Sequence, residues 1–325
     1  MTRFDAVLLI SFGGPQGMAD IRPFLANVLR GRNVPASRID DVAHHYELFG
    51  GVSPITELTR KQAAGLQPRL AAAGTPLPVY VGMRNWHPFL GDTLKEMSRA
   101  GVRRVLGFVM AAQSSYSSCQ QYKENVQDAR QAVRDAGLAD LEVTYVQGWH
   151  THEGFISANG AHVREAIAKL PPQLQARARV VFTAHSIPTR MADQSKYREQ
   201  LLESAREVAR LSDVSDWALV YQSRSGRPQD PWLEPDVCDY LRASRAEGLE
   251  AAVLCPIGFV CDHIEVLYDL DREAADVARD IGLGLTRADA ANDDPRFLDM
   301  MADMVLSTVR RYSTGRPLPI IRPQT

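Results

Sequence analysis

Short apolar runs alternate with longer segments of helical periodicity along most of the chain. The runs span residues 6–12, 78–83, 102–110, 141–146, 180–184, 217–222 and 251–255. Near-continuous apolar character over about four to eight residues is typical of buried parallel strands. We therefore predict an α/β protein with two doubly wound halves. The first half would span 1–150, with 295–325 as a candidate to complete it, and the second would span 151–294.

A line of acids follows the last of these runs. After a short loop, carboxylates occur at Glu265, Asp269 and Glu273. Steps of four residues place them on one face of a helix, where like charges repel. One interpretation is a solvated helix face, and the other is a path for cations or protons. The apolar run directly before the line favours a path, because acids so close to a core are unlikely to be simply solvated.

His185 closes the apolar run 180–184 and is followed closely by Pro188. Open α/β sheets bind their ligands at the carboxyl ends of strands, and imidazole changes charge near neutral pH. A structural role is the alternative for a single histidine. The position favours a metal ligand or a general base, so His185 and Glu265 are the candidate reactive residues.

The turn Gly13-Gly14-Pro15 ends the first apolar run. It lacks the G-x-G-x-x-G pattern of dinucleotide sites, and no P-loop lysine follows. We interpret it as a turn that lets a ligand approach the backbone closely.

The composition narrows the function classes. Hydrophobic residues make up 45% and charged residues 23% of the 325 positions, and the formal net charge is -2. These values are ordinary for a soluble globular protein and do not favour nucleic-acid binding. No stretch reaches the roughly 18 apolar residues of a membrane span, and the N-terminus resembles a strand more than a signal peptide. We expect a cytoplasmic protein.

The four cysteines are Cys119, Cys238, Cys255 and Cys261. No pair has the C-x-x-C spacing of a zinc or redox site. We expect four reduced thiols.

Five sequence blocks together resemble those of the ferrochelatase family. The histidine block reads Val181-Phe-Thr-Ala-His-Ser-Ile-Pro188, and the glutamate block reads Cys255-Pro-Ile-Gly-Phe-Val-Cys-Asp-His-Ile-Glu-Val-Leu-Tyr-Asp269. The others read Ser11-Phe-Gly-Gly-Pro15, Phe49-Gly-Gly-Val-Ser-Pro54 and Tyr221-Gln-Ser-Arg-Ser-Gly-Arg-Pro-Gln-Asp-Pro-Trp-Leu-Glu-Pro235. They follow the family's order over nearly the whole chain. The resemblance implies two Rossmann-like domains, each a parallel sheet flanked by helices, with a porphyrin cleft between them.

The resemblance also implies insertion of Fe²⁺ into a porphyrin with release of two pyrrole protons. It makes His185 and Glu265 catalytic residues and metal ligands that face each other across the macrocycle. Asp269 and Glu273 would be further metal ligands along a hydrated acidic path, where oxygen donors hold Fe²⁺ loosely. Iron would be a substrate, and no permanently bound cofactor is expected.

A porphyrin needs donors for its propionates and apolar walls for its ring. Arginine can pair with a carboxylate through two hydrogen bonds. The candidate walls are Phe12, Met83, Trp86 and Trp232. The other candidate porphyrin-binding residues are Arg30, Arg32, His45, Ser53, Arg84, Ser115, Tyr116 and Tyr122. For Arg30 and Arg32 the alternative is a basic helix end that complements the helix dipole.

The chain departs from some family members in three respects. Phe12 stands where several bacterial members carry a tyrosine that can ligate iron, and His45 stands where some carry an arginine. Some members hold a [2Fe–2S] cluster on cysteines that lie mostly near the C-terminus. No cysteine follows Cys261 in this chain, so no cluster is expected.

The loop Ser115–Tyr122 is similar to that of family members acting on coproporphyrin III, which carries four propionates. A loop rich in hydroxyl groups suits the additional carboxylates, so we predict Fe-coproporphyrin III (coprohaem) as the product. The alternatives are protoporphyrin IX as substrate, a cobalt or nickel tetrapyrrole chelatase, and a tetrapyrrole-binding module without turnover. Transient contact with other haem-pathway enzymes is a further expectation.

Overall fold

The computed structural model describes residues 4–31, 35–115, 120–146, 148–225 and 229–313. The strands are β1 (Ala6–Ser11), β2 (Val79–Met83), β3 (Arg104–Val109), β4 (Glu142–Tyr145), β5 (Ala178–His185), β6 (Trp217–Gln222), β7 (Ala251–Cys255) and β8 (Gly284–Arg287). The helices are α1 (Ile21–Val28), α2 (Ala36–Glu47), α3 (Ile55–Ala72), α4 (Leu90–Arg99), α5 (Gln121–Asp135), α6 (Glu153–Ala168), α7 (Pro172–Gln175), α8 (Thr189–Asp193), α9 (Tyr197–Leu211), α10 (Val237–Ala246), α11 (Ile264–Tyr268), α12 (Ala275–Asp280) and α13 (Pro295–Ser313). A 3₁₀ turn spans Met18–Asp20, and a π-helical segment, Asp269–Ala274, connects α11 to α12.

The strands form two parallel four-stranded sheets with the same strand order. The first sheet has the order β2-β1-β3-β4, and the second has the order β6-β5-β7-β8. In each sheet the chain order reverses beside the first strand, and ligands of open α/β sheets bind at that switch point. The register sets Ser11 beside Met83 and His185 beside Gln222. The loops after β1 and β5 therefore hold equivalent positions in the two sheets.

The fold class predicted from the apolar pattern is confirmed. The predicted strands 217–222 and 251–255 coincide with β6 and β7, and every residue of β7 is buried. The apolar pattern did not predict β8. Its four residues are only partly buried and begin with Gly284, so they lack the continuous apolar signal of a central strand.

One apolar core reaches from the first sheet to the second. It includes Leu9 of β1, Phe182 of β5 and Phe297 of α13, and these side chains are fully buried. A Cβ atom at Gly154 would lie 2.5 Å from the carbonyl oxygen of Arg296. Only glycine at this position of α6 therefore allows such close approach to α13.

Two buried glutamines of the first half donate hydrogen bonds to loops of the second. Gln62 of α3 donates from Nε2 to the carbonyl oxygen of Asn292 over 2.6 Å. Gln113, which follows β3, donates from Nε2 to the carbonyl oxygen of Ile257 over 3.3 Å. These contacts fix the first half against the loops that follow β7 and β8.

The predicted domain boundary near residue 150 falls in the segment between β4 and α6. Helix α13 contacts α3 before that boundary and α6 after it. The domain limits 1–150 and 151–294 stay a prediction, as does the assignment of 295–325 to the first domain. Within the described ranges, no helix is both long enough and apolar enough to cross a bilayer.

Candidate active site

His185 lies at the carboxyl end of β5. Its Nδ1 donates a hydrogen bond to the carbonyl oxygen of Ser186 when the imidazole is neutral, and Nε2 then carries the lone pair. The carbonyl oxygen of His185 accepts a hydrogen bond from the Tyr197 hydroxyl over 3.1 Å. The side chain is 33% exposed. The local contacts therefore fix the residue and leave Nε2 available for a proton or a metal ion.

Glu265 lies in the first turn of α11. Its Oε2 is 3.6 Å from Nε2 of His185 and 3.6 Å from Nε2 of His263. The second imidazole is itself held, because Nδ1 of His263 lies 3.1 Å from the carbonyl oxygen of Cys261. The carboxylate therefore lies between two imidazole rings.

The surrounding imidazoles favour the ionised form of Glu265. Burial by itself would raise its pKa, but attraction to His263, His185 and His45 outweighs burial and lowers the pKa of Glu265 to about 2. Burial would lower the pKa of His263, yet the neighbouring Glu265 carboxylate raises it above the ordinary value. At neutral pH the site holds an anion that can bind a metal ion or accept a proton.

The expectation that His185 and Glu265 face each other across the macrocycle is wrong. A flat ring between them would need van der Waals separations of about 3.5 Å on each side, roughly 7 Å in total. The two reactive atoms are 3.6 Å apart. A flat ring therefore does not fit between the two groups at this separation.

Asp269 is partly buried at the start of the π-helical segment. Its Oδ2 accepts hydrogen bonds from Nε2 of Gln222, over 3.2 Å, and from the hydroxyl of Ser223. Burial and the charges of Glu265 and Glu273 nevertheless raise the pKa of Asp269 to about 7. Asp269 can therefore exchange a proton near neutral pH.

The three acids follow one another from the site towards solvent. Glu265 and Asp269 are partly buried, whereas Glu273 is exposed. Four residues of an α-helix turn through about 400°, so each step of four overshoots by about 40°. The wider turns of a π-helix reduce that drift, and the segment Asp269–Ala274 is π-helical.

No group of three His, Cys, Asp or Glu residues in the described ranges is arranged to hold a metal ion, so the metal-ligand roles stay a prediction.

Replacing Asp269 by Asn should stabilise the metal-free protein at pH 8 and have no effect near pH 4. The folded-state pKa of about 7 exceeds the ordinary value of 3.8, so the folded state binds the proton more tightly, and stability falls as pH rises between those values. One unit of pKa corresponds to about 1.4 kcal/mol. Because the carboxyl is partly hydrated, we expect a gain of about 1–2 kcal/mol at pH 8.

Denaturant unfolding in EDTA at the two pH values measures this gain. Asp276→Asn removes an exposed carboxylate from α12, whose side chain is 57% exposed, and should show no pH-dependent gain. An Asp269→Asn variant that loses stability equally at both pH values would contradict the assignment of a raised pKa.

His45 connects the first half to the acidic helix, that is, α11 together with the π-helical segment that follows it (264–274). Its ring stacks on Tyr268 of α11, with ring centroids 3.5 Å apart and an interplanar angle of 11°. Burial, followed by the charges of Arg38 and His44, lowers the pKa of His45. A largely neutral ring at this position suits stacking. Both halves of the chain therefore contribute to the surroundings of Glu265.

Phe12 and Arg84 lie together at the carboxyl end of the first sheet. The guanidinium carbon of Arg84 is 5.8 Å from the centroid of the Phe12 ring and 5.9 Å from that of Tyr122. Both distances fit a cation–π contact. Phe12 is partly exposed, whereas Tyr122 is buried. This end of the sheet therefore offers an apolar surface beside a positive charge.

Besides Tyr122, four of the predicted porphyrin-binding and wall residues are buried: Ser53, Met83, Trp86 and Ser115. Ser53 packs so closely against the turn after β1 that a Cβ atom at Gly14 would lie 2.5 Å from its Cβ. Met83 lies next to Gly13 in the same turn. In this conformation Ser53 and Met83 support the turn rather than line an open surface.

The remaining predicted porphyrin-binding residues are dispersed. Arg30 is exposed just after α1 and donates a hydrogen bond to a side chain of that helix over 2.6 Å. The backbone of Trp232 pairs with Pro188, which places this partly exposed aromatic beside the loop after His185. Arg32 and Tyr116 lie outside the described residues.

The sequence predicts no role for three residues of the site, His263, Gln222 and Ser223. Ser223 adopts φ 60, a left-handed conformation uncommon for residues other than glycine, and its hydroxyl donates to Asp269. The only signal in the sequence that could have indicated these residues is their position in the chain. His263 lies two residues before Glu265, and Gln222 ends the strand β6 at the carboxyl end of the second sheet, where ligands bind.

Known proteins resemble this chain in both sequence and fold. The family model described as Ferrochelatase matches residues 4–309. A ferrochelatase of Rhodopirellula baltica is 49% identical over 303 residues, which cover 93% of this chain and 85% of the relative. A coproporphyrin III ferrochelatase of Streptomyces griseus is 46% identical over 318 residues, with the same two coverages.

The solved structure of SirB from Bacillus subtilis with Fe³⁺ has the same fold, with a TM-score of 0.58 at 10% sequence identity. The match covers 95% of this chain and 97% of that chain. It supports the two-sheet architecture alone, because identity this low carries no functional detail. The family match over nearly the whole described chain and the identity to the two relatives show that the chain belongs to the ferrochelatase family, enzymes that insert iron into a porphyrin.

Proposed function

We propose that this enzyme inserts Fe²⁺ into coproporphyrin III to give Fe-coproporphyrin III in haem biosynthesis. Iron insertion into a porphyrin follows from the family, as the sequence predicted. The observation that carries the residue assignment is the pair His185 and Glu265, whose reactive atoms lie 3.6 Å apart at the ligand-binding edge of the second sheet. Because the chain belongs to the ferrochelatase family, two alternative functions considered from the sequence have no support: a cobalt or nickel tetrapyrrole chelatase and a tetrapyrrole-binding module without turnover.

The reaction requires acceptors for two pyrrole protons. His185 presents Nε2 because its Nδ1 proton is engaged by the Ser186 carbonyl oxygen, so it can take one proton as a general base. Glu265 is ionised at neutral pH, with its pKa lowered to about 2, so it can attract Fe²⁺ or receive the second proton.

The acidic helix provides the route between this pair and solvent. Asp269, with its pKa raised to about 7, gains and loses a proton readily at neutral pH. Glu273 lies exposed at the outer end. Carboxylates bind Fe²⁺ less firmly than a site of imidazoles and thiolates. The line Glu265, Asp269 and Glu273 can therefore pass iron inward or protons outward.

Two observations support coproporphyrin III as the substrate. Relatives named coproporphyrin III ferrochelatase are 43–46% identical to this chain over at least 93% of its length. Arg84 supplies a positive charge beside the partly exposed Phe12 ring, where a ring edge with propionates would meet both. Coproporphyrin III carries four such groups, so basic and hydroxyl-bearing residues around the ring suit it.

Anaerobic turnover with coproporphyrin III and protoporphyrin IX in parallel, followed through their Soret bands, tests the substrate. We expect kcat/KM for coproporphyrin III to exceed that for protoporphyrin IX at least about tenfold, which corresponds to about 1.4 kcal/mol of transition-state stabilisation. Equal values, or a preference for protoporphyrin IX, would overturn the choice. Parallel assays with Co²⁺ give the metal preference.

The cellular setting belongs to the same proposal. Cys238, Cys255 and Cys261 are free thiols, which fits a reducing compartment such as the cytoplasm. Iron enters as a substrate, and the absence of a [2Fe–2S] cluster stays a prediction. Because the product must pass to a later step, transient contact with other haem-pathway enzymes is expected.

A further inference from the structure

Arg287, the last residue of β8, binds one aspartate before α11 and one after it. Its Nε and Nη2 donate to the two carboxylate oxygens of Asp271 over 2.6 and 3.0 Å. Its Nη1 donates to Oδ1 of Asp262 over 2.9 Å. Asp262 precedes α11, and Asp271 lies in the π-helical segment that follows it. One guanidinium group therefore spans the segment that carries Glu265 and Asp269.

The guanidinium and Asp262 are well shielded from solvent. The Arg287 side chain is 15% exposed and that of Asp262 is 13% exposed. Asp271 is paired through two parallel hydrogen bonds, the arrangement in which arginine binds a carboxylate most specifically. This geometry differs from the usual surface ion pair, which has little effect on structure.

Asp262 is also fixed from a second direction. Its Oδ2 accepts a hydrogen bond from Nδ2 of Asn292 over 2.7 Å, and its backbone N–H donates to Oδ1 of Asn292 over 2.9 Å. Asn292 has φ 46, a left-handed conformation that asparagine tolerates better than most residues. Gln62 of α3 donates to the Asn292 carbonyl oxygen. The anchor of the acidic helix thus extends to the first half of the chain.

The helix between the two anchors has little rigidity of its own. Helix α11 contains five residues and then widens into the π-helical segment, and isolated helices this short are unstable. We infer that Arg287 is a positioning residue for iron insertion, which sets where Glu265 and Asp269 lie by holding Asp262 and Asp271. This inference rests on the proposed function, because it depends on the parts given to those two acids.

Arg287→Lys and Asp271→Asn test the inference with the intact protein. Lysine keeps the charge but cannot bind both aspartates in the same geometry, and Asp271→Asn keeps the shape while weakening one contact. We expect kcat with coproporphyrin III and Fe²⁺ to fall about 10- to 100-fold in Arg287→Lys, and less in Asp271→Asn. The porphyrin Kd, measured by fluorescence quenching, should stay at the wild-type value, since the contacts of Arg287 are with the acidic helix.

Hydrogen exchange provides a readout that does not need turnover. In Arg287→Lys, amides of 262–272 should exchange faster, whereas those of α9 should not. If the wild type shows no metallation at all, the proposed function fails, but the exchange result still decides the positioning role. Unchanged exchange in 262–272 would overturn that role whatever the rate.

Arg279→Met is the matched control. Arg279 pairs with Asp276 on the neighbouring helix α12 over 2.7 Å, and its side chain is 71% exposed. Its replacement should leave kcat, porphyrin Kd and hydrogen exchange of 262–272 at wild-type values. A fall in kcat of the same size in Arg279→Met and Arg287→Lys, or a parallel fall in kcat and porphyrin affinity in Arg287→Lys, would overturn the inference.

Discussion

Replacing Glu265 by Gln should lower kcat for metallation about 100-fold or more, and it should also lower Tm, because the neighbouring imidazoles stabilise the ionised carboxylate in the fold. Gln keeps the shape of the side chain but can neither accept a proton nor attract Fe²⁺ as an anion. In the native site the carboxylate lies 3.6 Å from the imidazoles of both His185 and His263. Its pKa is lowered to about 2, so it is ionised throughout the neutral range. Anaerobic kinetics beside thermal unfolding measure both effects.

Glu247→Gln is the control for this variant. It removes the same charge from the exposed end of α10, so it should metallate coproporphyrin III at the wild-type rate. A Glu265→Gln enzyme with an unchanged rate would show that another group performs this task. Asp269 would then be the next candidate, because its pKa of about 7 also suits proton transfer.

The sequence predicted the fold wherever burial is continuous. The central strand β7 was placed to the residue, because a parallel strand covered on both faces needs an unbroken apolar run. The edge strand β6 was also placed to the residue, although only its second half is buried. The edge strand β8 was missed, since Gly284–Arg287 is short and only partly buried. Yet β8 supplies Arg287, whose contacts extend along the acidic helix. The edge strand that was missed therefore carries the residue that we propose positions the acidic helix.

The sequence identified His185 and Glu265 as the candidate reactive pair, but the resemblance placed them on opposite faces of the macrocycle. The sequence could not predict that their reactive atoms lie 3.6 Å apart, because the loop between β7 and α11 decides that distance. The role of Ser223 was hidden for a similar reason. Its contact with Asp269 depends on a left-handed backbone conformation at φ 60, which no residue type at that position indicates.

The helix that carries the acids illustrates the same limit. Steps of four residues predicted one face for Glu265, Asp269 and Glu273, but an ideal α-helix would let that face drift. The π-helical segment Asp269–Ala274 reduces the drift. No sequence pattern marks such a segment. The sequence therefore predicted that Glu265, Asp269 and Glu273 lie on one helix face, but it did not predict the backbone geometry that keeps them aligned.

Replacing His185 by Ala should abolish metallation while porphyrin binding stays measurable. The flat ring is expected to be held mainly by apolar contact, whereas Nε2 of His185 is the group placed to take a pyrrole proton beside Glu265. We expect less than about a tenth of the wild-type kcat, equivalent to losing more than about 1.4 kcal/mol of transition-state stabilisation. Anaerobic turnover gives the rate, and fluorescence quenching gives the porphyrin Kd.

Chemical rescue separates the lost imidazole from a damaged fold. In His185→Gly, free imidazole should restore part of the rate, since it can occupy the vacated space and accept the proton that Nε2 would take. His44→Ala removes an exposed histidine of α2, 63% exposed, and should keep the wild-type rate with or without imidazole. If His185→Ala retains more than a tenth of wild-type kcat, it has lost less than about 1.4 kcal/mol of transition-state stabilisation. That result would show that His185 is not the proton acceptor. The proton acceptor would then have to be sought among His263 and the acids of α11.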